Sequence, residues 1–163
     1  MSSRRTAAAV FGIVLCVYLT TTGGSFATDL ASYEVTKNLV QRGSVAMSYN
    51  VLAADAERGL DGQYYAPVGI GHPLVGIPFY LGSQVVQQLV NVRLGKPETL
   101  DKAAVAVGSA VTAALCAPLV FLFAWRITGN LVGSLFAAFA LAFGTSLWPY
   151  SKFGFNAPLA TLC

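Results

Sequence analysis

The stretch from Ala103 to Trp125, AAVAVGSAVTAALCAPLVFLFAW, carries no charged residue and shows in what solvent the chain folds. A helix that crosses a bilayer needs roughly 20 predominantly apolar residues, and this stretch provides them. Pro118 lies within it and predicts a local kink. We therefore predict a transmembrane helix over residues 103–126.

The composition of the whole chain agrees with a membrane protein. Of the 163 residues, 55% are hydrophobic and 10% are charged, whereas a soluble domain carries about 25% charged residues. The net charge of +3 is scattered and includes no basic run of the kind that binds nucleic acid. The three cysteines and the single histidine have no metal-ligand spacing. Neither a metal site, a cofactor nor a nucleic-acid partner is predicted.

Two further apolar segments flank this helix in sequence. Residues 131–148 follow a short turn, and their alanines, glycines and serines suit close packing between membrane helices. Residues 1–27 begin with paired arginines and continue as an apolar run. Two interpretations of the first segment stay open. Ser25-Phe-Ala27 resembles a signal-peptide cleavage site, while the later membrane segments favour an uncleaved transmembrane helix.

Residues 28–102 are predicted to form a loop outside the membrane with two short helices. Leu30, Tyr33 and Val40 recur at helical spacing ahead of Gly43, which indicates an amphipathic helix on the membrane surface. Residues 67–92 are apolar but contain many glycines and prolines. We favour a second interfacial or re-entrant helix there over a full crossing, and a hydrophilic loop over 93–102.

The number of membrane crossings before each segment sets the side of the membrane on which that segment is expected. With the N-terminus in the cytoplasm, residues 28–102 and 149–163 lie on the outer face, and the basic residues support this arrangement only weakly. A full crossing by 67–92 would invert everything that follows it. Residues 149–163 are predicted to be an outer loop and the start of a further helix, which indicates that the protein continues beyond Cys163.

Three positions on the outer face carry side chains suited to chemistry. Asp29 follows the first helix, and an aspartate there is either a helix N-cap or a general base at the membrane surface. Lys152 follows the third helix, and its ammonium group either neutralises a phosphate or reaches the headgroups as an ordinary interfacial lysine. The third position is the loop from Asp61 to His72.

In that loop, Asp61-Gly-Gln-Tyr-Tyr65 precedes Gly69-Ile-Gly-His-Pro-Leu74. Asp61-Gly62 is a turn signal. Two hypotheses remain for Tyr64, Tyr65 and His72. They either shape a polar pocket, or the tyrosines belong to the aromatic belt at the membrane surface.

The order of these pieces resembles the N-terminal part of bacterial GT-C membrane glycosyltransferases, the group related to glycosyltransferase family 39 and the protein mannosyltransferases. In that family an aspartate opens an outer-loop helix with a tyrosine a turn later, as Asp29-Leu-Ala-Ser-Tyr33 does here. The Asp61–Leu74 stretch is similar to the corresponding stretch of one bacterial branch. Leu147-Trp-Pro-Tyr-Ser-Lys152 resembles the segment that follows the family's third crossing.

The resemblance implies an all-α integral membrane protein, the N-terminal part of a multi-pass GT-C helical bundle in the bacterial cytoplasmic membrane. Family members transfer a sugar from a polyprenyl-phosphate carrier to a lipid, glycan or protein hydroxyl. Carried over, Asp29 is the base on the acceptor, and Lys152 with His72 holds the departing phosphate. The remaining substrate-binding candidates are three tyrosines and one aspartate (Tyr33, Tyr64, Tyr65 and Asp61).

The chain departs from the family pattern at two positions. Leu30 stands where an Asp-Glu pair is common, and Asn156-Ala-Pro-Leu159 stands where that branch has Ser-Glu-Pro-Leu. The predicted crossings are too few to enclose both a polyprenyl groove and a sugar pocket, so we expect a fragment that is inactive alone. The alternative is a small, non-catalytic accessory or assembly protein that docks through its outer loop. A transporter is disfavoured because no charge lies mid-helix.

Overall fold

The computed structural model describes residues 3–21, 27–47, 56–66, 69–90, 97–152 and 157–162. This part of the chain is mostly helical, which confirms the predicted all-α class, with one short β-hairpin in addition. The elements are α1 (Ser3–Thr20), α2 (Ala27–Arg42), β1 (Glu57–Arg58), β2 (Tyr64–Tyr65), α3 (Gly71–Val90), α4 (Pro97–Thr128), α5 (Leu131–Gly144), α6 (Leu147–Ser151) and α7 (Ala157–Leu162).

Two helices of the described residues are long and apolar enough to cross a membrane, namely α1 and the part of α4 from Glu98 to Thr128. The helix α5 is apolar but has only 14 residues, which corresponds to a rise of about 21 Å. The crossing predicted for residues 131–148 is therefore interrupted, because Thr145 and Ser146 separate α5 from α6. The predicted first segment, residues 1–27, is also shorter as a helix, since α1 ends at Thr20.

The prediction of a hydrophilic loop over residues 93–102 is wrong from Pro97 onward, where α4 begins. Proline is well suited to the first helical position, because the N–H it lacks would have no intrahelical partner there. Glu98 adds a negative charge in the first turn, where the helix dipole stabilises it. The helix predicted over residues 103–126 thus extends over Pro97–Thr128, into the region assigned to the loop.

Glycines end two helices, and the one after α2 was predicted. Gly43 follows α2 with φ of 64°, and Gly129 follows α4 with φ of 61°. This left-handed conformation is favourable for glycine and stops a helix. After Gly129, the Asn130 side chain accepts a hydrogen bond of 3.2 Å from the Gly133 N–H and caps α5. The predicted surface helix before Gly43 and the turn before residue 131 are confirmed as secondary structure.

The chain divides into two compact units. The core unit consists of Met1–Gly24, Ser109–Lys152 and Ala157–Cys163, and the loop unit of Ser25–Gly108 and Phe153–Asn156. The helix α4 contributes its residues up to Gly108 to the loop unit and its later residues to the core unit.

In the core unit, α1 and α5 pack on α4 through small and aliphatic side chains. The buried cluster includes Val10, Val14, Ala113, Ala114, Ala117, Ala138 and Ala142. One long-range hydrogen bond crosses this cluster, since the Tyr18 hydroxyl donates to the Ala142 carbonyl oxygen at 2.7 Å. Small side chains bring helix backbones close together, so the core unit is held mainly by close contact of its helices.

In the loop unit, α2 packs on α3, and polar side chains join the helices. The Thr36 hydroxyl donates to the Pro73 carbonyl at 3.0 Å, and the Gln41 amide donates to the Tyr80 hydroxyl at 2.9 Å. Gly76 lies where α2, α3 and α4 meet. A Cβ at this position would lie 3.0 Å from Thr36 Oγ1 and 3.2 Å from Val105 Cγ1, so the absence of a side chain permits the close approach.

Candidate functional site

The predicted base, Asp29, lies in the first turn of α2, and its side chain falls outside the described residues. Tyr33 lies one turn later and is 2% exposed. The Tyr80 ring is 6.2 Å away, and the Lys37 and Lys102 ammonium groups lie 5.8 and 5.5 Å from the centre of the Tyr33 ring. Tyr33 is therefore enclosed by protein, which makes it a packing residue of the loop unit.

Charged groups surround this tyrosine. Burial raises the pKa of the Tyr33 hydroxyl above its usual range, and the Asp101 and Glu98 carboxylates raise it further. Glu98 accepts ion pairs from Lys37 at 3.7 Å and from Lys102 at 3.5 Å. Each such pair at a partly exposed position contributes about 0–1 kcal/mol. Tyr33 thus remains a neutral hydroxyl beside a group of lysines and carboxylates.

The hairpin brings two predicted site residues into direct contact. In the turn between β1 and β2, Gly62 adopts φ of 79°, and the Tyr65 hydroxyl donates to Asp61 Oδ2 at 2.6 Å. Asp61 Oδ1 accepts a second bond from the Gln63 N–H at 3.0 Å. The bond from Tyr65, followed by that from Gln63, lowers the pKa of the Asp61 carboxyl. Asp61 is therefore held as an oriented, exposed carboxylate.

A cavity of about 200 Å³ lies beside the hairpin, between α2 and the start of α3. Its lining is formed by Val35, Val45, Tyr65, Ala66 and Ile70. Most of this wall is apolar, and Tyr65 links it to the Asp61 carboxylate through its hydroxyl. An apolar wall with a few fixed polar groups is typical of a small-molecule site, and this is the candidate functional site.

Tyr64 and His72 occupy different surroundings from Tyr65. Tyr64 is half-buried, and its backbone carbonyl accepts a hydrogen bond of 2.8 Å from the Met47 N–H, which ties residue 47 to the hairpin. His72 lies in the first turn of α3 and is 3% exposed. The histidine is therefore a buried residue of the loop unit.

A polar network that the sequence did not reveal joins α3 to α4. Asp101 is 5% exposed, and its Oδ1 accepts hydrogen bonds from Ser83 Oγ at 2.6 Å and from Gln87 Nε2 at 2.7 Å. Gln84 Nε2 contacts both carboxylate oxygens at 2.9 Å. Two features of the sequence could have indicated this contact. Pro97 marks a helix start before Asp101, and the three donors share one face of α3.

Lys152 belongs to the core unit, whereas the other six predicted site residues belong to the loop unit. It follows α6, and its Nζ lies 5.2 Å from the centre of the Trp148 ring, a cation–π distance. The Trp148 indole N–H donates to Thr21 Oγ1 at 3.2 Å. The sequence Asn156-Ala-Pro-Leu159 was noted as a departure from the pattern of the glycosyltransferases. The side chains of its first three residues fall outside the described part of the chain.

Comparisons with known proteins give no match to this chain, whether to protein-family models, to curated proteins or to solved structures.

Proposed function

We propose that this chain is the N-terminal part of a GT-C-type membrane glycosyltransferase, multi-pass in the bacterial cytoplasmic membrane with its N-terminus in the cytoplasm. The observation that carries the proposal is the oriented Asp61–Tyr65 pair beside an apolar cavity in the loop unit. A sugar ring fits this combination of groups, since its apolar face packs on an aromatic or aliphatic wall while its hydroxyls bond to a carboxylate.

The membrane placement is supported by the outer surfaces of α4 and α5. Large apolar side chains there are more than two-thirds exposed, namely Phe123, Ile127, Val132 and Phe136. Soluble monomers rarely expose large contiguous apolar patches, whereas lipid acyl chains cover such side chains favourably. Residence in the membrane fraction after washing at alkaline pH is expected, and release of the chain into the supernatant would contradict this placement.

In the proposed reaction, Asp29 takes the proton of the acceptor hydroxyl as the acceptor oxygen attacks the anomeric carbon of the donor. The bond from that carbon to the phosphate oxygen breaks, the configuration inverts, and the electron pair leaves with the polyprenyl phosphate. Charge develops on the leaving phosphate, and the Lys152 ammonium stabilises it. The reaction balances without a metal ion or a cofactor.

The other predicted residues have supporting roles in this proposal. Tyr65 and Asp61 contact the sugar, and Tyr64 fixes the hairpin through its backbone bond to Met47. Tyr33 and His72 are both buried. We therefore assign them to the shape of the loop unit, with no direct contact to the sugar or phosphate.

Asp29→Asn in the full-length protein tests the proposal. We expect a loss of transfer from a polyprenyl-phosphate sugar of about 100-fold or more, the usual contribution of a positioned base. Glu57→Gln is the matched control, because Glu57 is an exposed carboxylate on β1 outside the proposed machinery. Full activity of Asp29→Asn at equal expression would reject this base, and co-purification of a stoichiometric partner would then favour an accessory protein.

A further inference from the structure

The helix α3 turns three polar side chains toward the protein and a line of aliphatic side chains outward. Its 20 residues, GHPLVGIPFYLGSQVVQQLV, include no aspartate, glutamate, lysine or arginine. Ser83, Gln84 and Gln87 face Asp101 of α4. A surface helix in water shows the opposite arrangement, with its apolar stripe facing the core.

The outward side forms a continuous line along the helix, which we call the outer stripe (Leu74, Pro78, Leu81, Val85 and Leu89). These positions recur at helical spacing and lie on one face. The exposed fractions are 47% for Leu81, 52% for Val85 and 78% for Leu89. The outer stripe thus presents only aliphatic groups over four turns of helix.

The polar side is satisfied within the protein. Asp101 accepts hydrogen bonds from Ser83, Gln84 and Gln87 and is 5% exposed. Further toward the N-terminus of α3, Phe79 contacts Gly108 of α4, so the two helices run antiparallel. Carboxylates within membrane proteins face the interior and find partners there, as Asp101 does.

We propose that the outer stripe of α3 contacts the acyl chains of the membrane. The inference rests on the membrane placement proposed above and is independent of glycosyl transfer. A helix of 20 residues rises about 30 Å, so α3, when it lies along the membrane surface, sets its whole outer stripe against acyl chains. It packs against the first turns of α4, and α4 from Glu98 to Thr128 is itself long and apolar enough to cross a membrane.

Acyl chains explain the outer stripe better than a protein partner does. Protein interfaces are enriched in tyrosine, tryptophan, phenylalanine, methionine and arginine at their centres, and none of these residue types lies on the stripe. Contact of the stripe with water is unfavourable, because all five of its side chains are apolar. A hydrocarbon solvent favours what the stripe shows, because its positions are aliphatic and three polar side chains of α3 are paired with Asp101 inside the protein. The exposed Gln88 lies at the edge of the stripe.

Spin-label accessibility in phosphatidylcholine–phosphatidylglycerol vesicles tests the proposal on the full chain. Leu81→Cys and Val85→Cys are prepared in a background with Cys16→Ser, Cys116→Ala and Cys163→Ser, and each carries a nitroxide. Phe123→Cys on the outer surface of α4 and Leu60→Cys at the exposed hairpin turn are the lipid and water references. Collisions with oxygen, which concentrates in hydrocarbon, are compared with collisions with a water-soluble nickel complex.

We expect labels at Leu81 and Val85 to match the one at Phe123, with a several-fold shift toward oxygen relative to Leu60. Nickel accessibility at Leu81 and Val85, with Phe123 still in lipid, would overturn the proposal while leaving the membrane placement intact. Protection from both reagents would place protein on the stripe, and spin–spin broadening between chains would identify that protein as a second copy. Either result would overturn the proposal. Nickel accessibility at Phe123 would reject the membrane placement itself.

Discussion

The two units of the chain join their helices by different physical means. In the core unit, alanines and valines from α1, α4 and α5 form a buried apolar cluster. In the loop unit, hydrogen bonds between side chains connect α2, α3 and α4, and several of them meet at the buried Asp101 carboxylate. The first arrangement depends on shape, and the second depends on matching each donor to an acceptor.

This difference teaches where each unit is vulnerable. Close packing of small side chains fails when a side chain becomes larger, because the backbones must separate. A buried polar network fails when one member is removed, because its partners stay buried without a hydrogen bond. Substitutions that delete polar atoms should therefore act most strongly in the loop unit, and substitutions that add volume should act most strongly in the core unit.

The largest effect is expected for Asp101→Ala. It leaves three donors on α3 without their acceptor, at a cost of about 3 kcal/mol in the free energy of unfolding. Reversible unfolding in detergent micelles, followed by circular dichroism, measures this. Asp101→Asn retains one acceptor oxygen and should lose less.

Glu98→Gln is the matched control for Asp101, because Glu98 is an exposed acidic residue one turn earlier in α4. Its ion pairs with Lys37 and Lys102 are exposed, so we expect a loss of about 0.5 kcal/mol or less. Equal losses for the two variants would show that the polar network does not hold the loop unit together.

Ala114→Leu in the core unit is expected to have the next largest effect. Ala114 is fully buried in the apolar cluster, and the additional carbons have no space, at a cost of about 2 kcal/mol. The exposed neighbour Leu115 supplies the control, since Leu115→Ala should change the free energy of unfolding very little. A tolerated Ala114→Leu would mean that the helices of the core unit pack loosely.

Tyr18→Phe probes a hydrogen bond that crosses the apolar cluster. It removes the 2.7 Å hydrogen bond to the Ala142 carbonyl and retains the ring, so the expected loss is about 1 kcal/mol. Thr20→Val on the same helix is the control, since the Thr20 hydroxyl bonds only to carbonyls of its own helix, those of Cys16 and Val17. If Tyr18→Phe lowered the free energy of unfolding more than Asp101→Ala does, the core unit would depend on hydrogen bonding more than the loop unit does.

The same contrast explains how much of the structure could be predicted from the sequence. The apolar run before Trp125 and the glycine at position 43 are local signals, so the all-α class and the end of α2 were predicted. The start of α4 was assigned wrongly, because the hydrophilic residues around Asp101 indicated a loop. Burial of Asp101 depends on three partners from another helix, and a single sequence does not show which helices meet.

In the candidate site, too, local features could be predicted from the sequence, and contacts between separate segments could not. The turn at Asp61-Gly62 was predicted because its residue types favour it. The hydrogen bond from Tyr65 to Asp61 depends on the pairing of β1 with β2, and the cavity depends on Val35 and Val45 lying beside the hairpin. Gln84 and Gln87 of α3 both donate hydrogen bonds to Asp101. Their orientation toward protein follows only from the position of α4.

The smallest expected effect concerns the exposed hairpin, where the polar contact lies in solvent. Hydrogen bonds from Tyr65 and Gln63 hold the Asp61 carboxyl pKa below its ordinary value of 3.8. Because the folded pKa is lowered, the associated stability is present above pH 3.8 and is lost as the pH falls through the folded pKa. Tyr65→Phe removes the larger contribution, so the Asp61 pKa should rise toward 3.8 and this acid-dependent loss should shrink.

A carboxyl-carbon NMR titration of Asp61 measures this change. Tyr64→Phe is the control, because the lowering of the Asp61 pKa comes from Tyr65 and Gln63, and Tyr64 does not contribute. An unchanged Asp61 pKa in Tyr65→Phe would show that the hydroxyl does not hold the carboxylate in solution, and the proposed sugar contact would lose its orientation. A clear rise, with little change in the free energy of unfolding near neutral pH, would separate this exposed contact from the buried Asp101 network. The hydrogen bond from Tyr65 would then orient Asp61 without stabilising the fold, while the network between α3 and α4 stabilises the loop unit.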